Sequence, residues 1–231
     1  MSYNEDETIE QLKTWWARYG TPVLLSIAIV LLSFSGWRYW GSSSLESATK
    51  AQALQQQMTT AMQRISVNAD DKAANTDVQR LGRQLIDEYA NTPYAVDAAL
   101  LLAKRAVDSG DLAAAEKQLR SALDLKLSAD MKLLVQTRLA RVLAARKQYP
   151  AALAVLDEAG DDAAVAPLVA EVRGDILMLQ GQRAAAAKAY AAADAALAAR
   201  DEARPVLELK LADVGLAPAK RASDVAAEAQ P

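Results

Sequence analysis

A chain of 231 residues with no cysteine and no histidine has few ways to do chemistry. No disulfide, thiolate nucleophile, lipid-modified cysteine or cysteine metal site can form. The commonest general base and transition-metal ligand is missing as well. Carboxylates, lysine, serine and tyrosine remain. The acidic pairs Asp70-Asp71 and Asp161-Asp162 come nearest to an acid/base arrangement. Each falls in a stretch that reads as a loop, where two carboxylates are ordinary solvated charges. The sequence contains no Gly-rich phosphate loop, no His-based metal spacing and no serine in a nucleophile-elbow context. The expectation is a binding module and not an enzyme, with no cofactor, no metal and no small-molecule substrate. Net charge is −3, from 26 basic and 29 acidic residues. Phosphate binding wants a basic excess, so nucleic acid is not the expected partner. The candidate binding residues are Lys104, Arg141 and Asp175, with Thr137, Glu171 and Met178 close to them at helical spacing. Their positions follow from a repeat.

Three segments share one plan: 101–123 (LLAKRAVDSGDLAAAEKQLRSAL), 138–160 (RLARVLAARKQYPAALAVLDEAG) and 171–193 (EVRGDILMLQGQRAAAAKAYAAA). Each has a small residue in a first helix (Ala103, Ala140, Gly174) and a turn seven residues later (Gly110, Lys147, Gly181). A second small residue follows (Ala115, Ala152, Ala186), then a large one (Leu119, Leu156, Tyr190), then another small one (Ala122, Ala159, Ala193). The units are offset by 37 and 34 residues, and helix pairs at a period near 34 carry the tetratricopeptide signature. Small residues sit where the helices of a pair cross, and large ones fill the gap between pairs. The middle unit departs from the pattern, with Lys147 in place of the turn glycine and Tyr149-Pro150 opening its second helix, where Pro suits a first turn. Such solenoids bind through the concave face, lined by the first helix of each pair. The residue after each first small one (Lys104, Arg141, Asp175) is placed on that face. A merely solvated charged face is the alternative.

The stretch from Tyr19 to Trp37 (YGTPVLLSIAIVLLSFSGW) carries no charge over 19 residues. As a helix it rises ~28 Å, close to the hydrocarbon thickness of a bilayer. Trp15, Trp16 and Tyr19 stand at one edge and Trp37, Tyr39 and Trp40 at the other, the belt expected at two membrane interfaces. A transmembrane helix over 19–40 is therefore expected, in contact with membrane lipid. A cleaved signal peptide is disfavoured by the acidic 18-residue lead and by bulky residues where small ones should precede cleavage. Residues 1–18 read as a cytoplasmic segment with a short amphipathic helix at the interface (Ile9, Leu12, Trp16), and Pro22 as part of the first turn of the spanning helix. Lys and Arg are almost balanced across the span, so charge favours an inside N-terminus only slightly. Ser26, Ser33 and Gly36 share a face that would let another spanning helix approach.

After a junction at Gly41–Ser44, the helical period resumes from Leu45 to Ile65. Residues 66–77 read as a loop, and Val78, Leu81, Leu85, Ile86 and Tyr89 as the stripe of a helix over 78–89. Together these form one more degenerate pair. Residues 204–214 read as a closing helix. The expected chain is therefore all-α: a spanning helix at 19–40, a repeat domain over 41–214 and a disordered tail over 215–231.

An acidic N-terminus, one span ending in Gly36-Trp-Arg-Tyr-Trp40 and then tetratricopeptide-like repeats form a particular combination. With Arg138-Leu-Ala-Arg-Val142 and Leu168-Val-Ala-Glu-Val-Arg-Gly-Asp175, it resembles the ancillary subunit of the bacterial SecYEG translocon, the YfgM-like family, from Asn4 to about Val214. The resemblance implies a single-pass protein of the bacterial cell inner membrane, with the N-terminus cytoplasmic and the repeats periplasmic. Implied partners are the SecYEG translocon and a membrane-anchored periplasmic chaperone of the peptidyl-prolyl isomerase type. The implied role is to help newly exported envelope proteins fold. A membrane-anchored scaffold for envelope assembly or cell division has the same sequence features. A cytoplasmic adaptor of inverted topology is a further alternative.

Overall fold

In the computed structural model, residues 3–160 and 165–222 are described; within the first helix, the side chains of residues 3–12, 14, 21, 23, 24, 27, 28, 32 and 34–44 are not. The described elements are all helices: α1 (Tyr3–Val67), α2 (Lys72–Glu88), α3 (Pro93–Asp108), α4 (Leu112–Leu123), α5 (Ala129–Ala145), α6 (Tyr149–Asp157), α7 (Ala166–Leu179), α8 (Arg183–Ala198) and α9 (Pro205–Asp213). They fall into two compact units, Met1–Gln52 and Ala53–Pro231.

The first unit is helical from Tyr3, so no break separates an interfacial helix from the remainder of α1. Pro22 lies inside α1. Proline removes one backbone donor from a helix interior, and the Ser26 hydroxyl donates to the Pro22 carbonyl at 2.8 Å. Residues 41–44 are helical as well. Trp15, Trp16 and Tyr19 are about half exposed and lie on one another, with ring centroids 6.4 Å (Trp15–Trp16) and 6.0 Å (Trp15–Tyr19) apart. Leu25, Ile29, Val30 and Leu31 are exposed too. Among the described residues, no helix is long and apolar enough to cross a membrane. Trp37, Tyr39, Trp40 and much of the expected span lie outside the described side chains.

The second unit is a stack of antiparallel helix pairs. The repeats of the sequence become α3/α4, α5/α6 and α7/α8, and each pair packs on the next. The turn within each pair is the same C-terminal cap, built by a residue in the left-handed region: Gly110 (φ 80°), Lys147 (φ 62°) and Gly181 (φ 75°). In each, that residue donates to the carbonyl three back (Gly110 to Val107, Lys147 to Ala144, Gly181 to Met178). The next residue reaches back five (Asp111 to Ala106, Gln148 to Leu143, Gln182 to Leu177). These bonds satisfy the orphan carbonyls of the first helix. Lys147 performs the glycine's part without a glycine's freedom.

The small positions are buried as their spacing requires, except Ala159, which is half-buried. Ala103, Ala115, Ala122, Ala140, Ala152 and Ala186 are 0–3% exposed, and Leu119, Leu156 and Tyr190 are 1–3% exposed. Each buried leucine contributes about 1.5–3 kcal/mol relative to an exposed one. At Gly174 a Cβ would lie 2.3 Å from Tyr190 Cε1. The last pair therefore exchanges the Ala/Leu combination of its neighbours for Gly/Tyr. Gly82 of α2 lies under Leu102 in the same manner, with a Cβ placed 2.9 Å from Leu102 Cδ1.

Bonds of equal sequence separation tie the second helix of each pair to the first helix of the next. Arg105 donates to Asn75 Oδ1, Arg146 pairs with Glu116, the Tyr149 hydroxyl meets the Leu179 carbonyl at 3.3 Å, and Arg183 donates to the Asp213 carbonyl. Each of these bonds spans 30 residues. By this rule α2 is the second helix of a pair whose first helix is the end of α1, where Met58 and Ala61 are buried.

The expected loop over 66–77 shrinks to residues 68–71, because α1 runs to Val67 and α2 begins at Lys72. Asp71 explains the early start. It is the N-cap, accepting from the Ala74 N–H at 2.9 Å and pairing with Arg64 at 2.9 Å. Its carboxyl is held below the ordinary range, by the Ala74 N–H above all. Asp161 and Asp162 lie outside the described residues.

Candidate partner-binding groove

The structure brings together two of the six candidate residues. Lys104 of α3 and Arg141 of α5 line one groove of about 360 Å³ with Leu100, Ala103, Val107, Leu119, Arg138 and Val142. Leu100, Ala103, Leu119 and Val142 are buried and form its floor, while Val107 is 43% exposed at its edge. Lys104 holds Asp108 of its own helix at 2.5 Å. Arg138 and Arg141 are exposed, three residues apart on one face of α5. Among the described residues no acidic side chain pairs with either. Repeat register alone did not single out Arg138, although its spacing from Arg141 was available in the sequence.

The other four candidates go elsewhere. Thr137 is buried, and its hydroxyl donates to the carbonyls of Leu133 and Leu134 in its own helix. Met178 is half-buried against the apolar cluster that holds α9. Glu171 and Asp175 face α9 and the loop before it. Arg204 reaches Glu171 at 2.5 Å, and Lys210 bridges Glu171 and Asp175 at 2.7 Å each. The Tyr190 hydroxyl donates to Asp175 at 3.0 Å, and Lys210 Nζ lies 5.8 Å from the centroid of the Tyr190 ring. Leu207 and Leu211 are seated beneath, each 1% exposed. Burial alone would raise the Glu171 carboxyl, but hydrogen bonds from Lys210 and Arg204 outweigh it and hold the group below its ordinary value. Burial pushes the Tyr190 hydroxyl upward, and the Asp175 and Glu171 carboxylates push it further. This is an internal ion cluster that fastens the closing helix. Glu171 and Asp175 are not free for a partner.

Beyond α9 the chain continues to bond. The Ala219 N–H donates to Asp194 Oδ2 at 2.6 Å, and Arg221 reaches Glu208 at 2.6 Å and the Glu202 carbonyl at 3.0 Å. The expected disordered tail thus includes residues that satisfy Asp194, a carboxylate buried in α8. Residues 223–231 lie outside the described set.

What these elements form is a helical-repeat interaction domain: stacked pairs, left-handed turns, small crossings, and an apolar groove with a basic rim. A family model described as a tetratricopeptide repeat-like domain matches residues 13–216. The chain is 30% identical over 189 residues to an ancillary SecYEG translocon subunit of Escherichia coli, covering 82% of this chain and 86% of that one. A protein of the same name from Haemophilus influenzae is 30% identical over 189 residues, covering 82% and 88%. One from Neisseria gonorrhoeae is 25% identical over 207 residues, covering 90% and 95%. No solved structure matches. The chain belongs to the ancillary SecYEG translocon subunit family, with a tetratricopeptide repeat-like domain.

Proposed function

We propose that the chain is a non-enzymatic ancillary subunit of the SecYEG protein-translocation channel, anchored in the bacterial inner membrane by the helix over 19–40. Its N-terminus is cytoplasmic and its repeat domain periplasmic. There it scaffolds a membrane-anchored chaperone of the peptidyl-prolyl isomerase type, which helps newly exported envelope proteins fold. The observation that carries the reading is similarity along 80–90% of the chain to relatives bearing the translocon-subunit name. Two features support it. The uncharged stretch between Tyr19 and Trp37 is flanked by aromatics that belong at headgroup depth. The repeat domain offers an apolar groove between α3 and α5 with Arg138 and Arg141 at its rim. Tethering next to the channel exit raises the effective concentration of the groove near emerging chains, so weak contacts suffice.

The test is crosslinking in intact membranes, purification in mild detergent through a C-terminal tag, and identification of partners by mass. Recovery of the channel with an isomerase-type chaperone is expected. Recovery of division or wall-assembly proteins without the channel would overturn the translocon role and favour an envelope scaffold. Protease access to the repeats in spheroplasts tests the topology, and protection would invert it.

A further inference from the structure

We propose that α9 and the chain after it form an acid-released latch, which leaves α7 and α8 as one unit while the pairs α3/α4 and α5/α6 stay folded. Release uncovers Leu207 and Leu211 and the cluster they belong to, with Tyr190, Leu197, Leu177 and Met178. The latch is a property of the repeat domain itself, so it goes beyond the translocon reading and does not depend on it.

The bonds that hold this segment converge on carboxylates. Arg204 and Lys210 hold Glu171 of α7, and Lys210 with the Tyr190 hydroxyl of α8 holds Asp175. On the other side, the Ala219 N–H and Arg221 meet Asp194 of α8, and Arg221 also holds Glu208 of α9. Glu171 and Asp194 are buried. Two further bonds end on carbonyls, from Arg183 to Asp213 and from Arg221 to Glu202. The Asp213 carboxylate adds its charge near Tyr190, and Asp201, Glu202 and Lys220 are exposed. In acid the carboxylates are neutralised first. Arg204, Lys210 and Arg221 keep their charge, and the Tyr190 hydroxyl, pushed upward by burial, keeps its proton. Three cations then lie against uncharged carboxyl groups, with the Arg221 and Lys210 side chains only 11% and 24% exposed. Neutralising one member of a buried pair leaves an uncompensated charge, which is the costly case. Glu171 sets the pH window. Burial raises its carboxyl, but the bonds from Lys210 and Arg204 prevail and hold it below 4.5 while the latch is closed. Release returns it to its ordinary value and so takes up a proton below 4.5. Opening then becomes about tenfold more favourable with each pH unit. The pairs further in are held differently. Ala115, Leu119, Val135, Leu139 and Leu143 form an apolar core at 0–1% exposure. That core does not titrate, and Glu116 is the one described carboxylate that joins two of the helices α3 to α6.

The test is hydrogen exchange of the full chain in detergent, read by mass spectrometry and corrected for the intrinsic pH dependence of exchange. Over the first pH unit below 4.5, protection of residues 199–221 should fall about tenfold, while residues 93–157 keep theirs. E171Q/D175N removes two of the titrating acceptors and leaves neutral amide oxygens in their place. Its closing segment should be loosened already at neutral pH and respond less to acid. Leu207→Ala separates weak packing from titration. It should loosen the segment at every pH and leave the acid response in place. Unchanged protection of residues 199–221 in acid, an equal loss across residues 93–157, or a parental acid response in E171Q/D175N would overturn the proposal. The comparison of the two segments within the parent chain decides even where a variant does not fold.

Discussion

Replacing Gly174 by Ala adds one methyl group to a helix crossing that has no room for it. The new Cβ would lie 2.3 Å from Tyr190 Cε1 and 2.5 Å from Cδ1, whereas ordinary contact begins at 3.4 Å. The ring would have to retreat by about 1.1 Å. Its hydroxyl is tied to Asp175 and one side faces Lys210, so it cannot move without disturbing the cluster that fastens α9. Overpacking of this kind costs about 1–3 kcal/mol. The gain in helix propensity from Gly to Ala, about 1 kcal/mol, offsets part of it. The difference is about 0–2 kcal/mol, and the 1.1 Å overlap with a tethered ring puts the expected net loss in the upper half of that range, about 1–2 kcal/mol, a fall in Tm of a few degrees. Tyr190→Leu alone also destabilises, by loss of the hydroxyl bond and ring contacts. The double variant recreates the Ala/Leu combination of Ala103 with Leu119 and Ala140 with Leu156. It should be more stable than the sum of the two losses by about 2 kcal/mol, a coupling within the range for residues in contact. Thermal and urea unfolding of the full chain in detergent, followed at far-ultraviolet wavelengths, close the cycle. Additive losses, or a Gly174→Ala variant as stable as the parent, would refute the claim that the Gly/Tyr exchange is one packing solution.

Lys147→Gly should stabilise the chain by about 0.5–1 kcal/mol, because a left-handed non-glycine costs about 1–2 kcal/mol and glycine's own entropy cost offsets part of that; a higher Tm checks it. Asp71→Ala removes the N-cap of α2 and should cost about 1 kcal/mol, read as a lower urea midpoint. Glu171 has a lower pKa folded than its ordinary 4.5, so its contribution is present above that value and is lost as pH falls through the folded one. Stability should be insensitive to this group at neutral pH and decline below about 4.5, and Glu171→Gln should show a shallower acid decline than the parent in unfolding measured against pH.

Much of the architecture was legible in the sequence because its causes are local. A left-handed turn needs particular backbone geometry within five residues, so Gly110 and Gly181 marked it, and equal offsets exposed Lys147 in the same place. Small residues at crossings recur because every pair crosses alike. The hydrophobic stripes placed α2, the turn pattern placed α3 to α8, and Pro205 with its leucines placed α9. Loop composition misled at 66–77, where SVNADDKAANTD is polar enough for a loop but Asp71 caps a helix that begins at Lys72.

The fate of the charges was not local. Repeat register put Lys104, Arg141 and Asp175 on equivalent places, and the sequence by itself determined that equivalence. Only the tertiary structure decided that Asp175 and Glu171 would be consumed by α9, that Asp194 would be met from beyond α9, and that Arg141 would stay open beside Arg138. A repeat dictates which residues are equivalent, but pairing depends on what lies across the gap. Arg204 and Lys210 are 33 and 39 residues from Glu171 along the chain, and only folding brings them within reach.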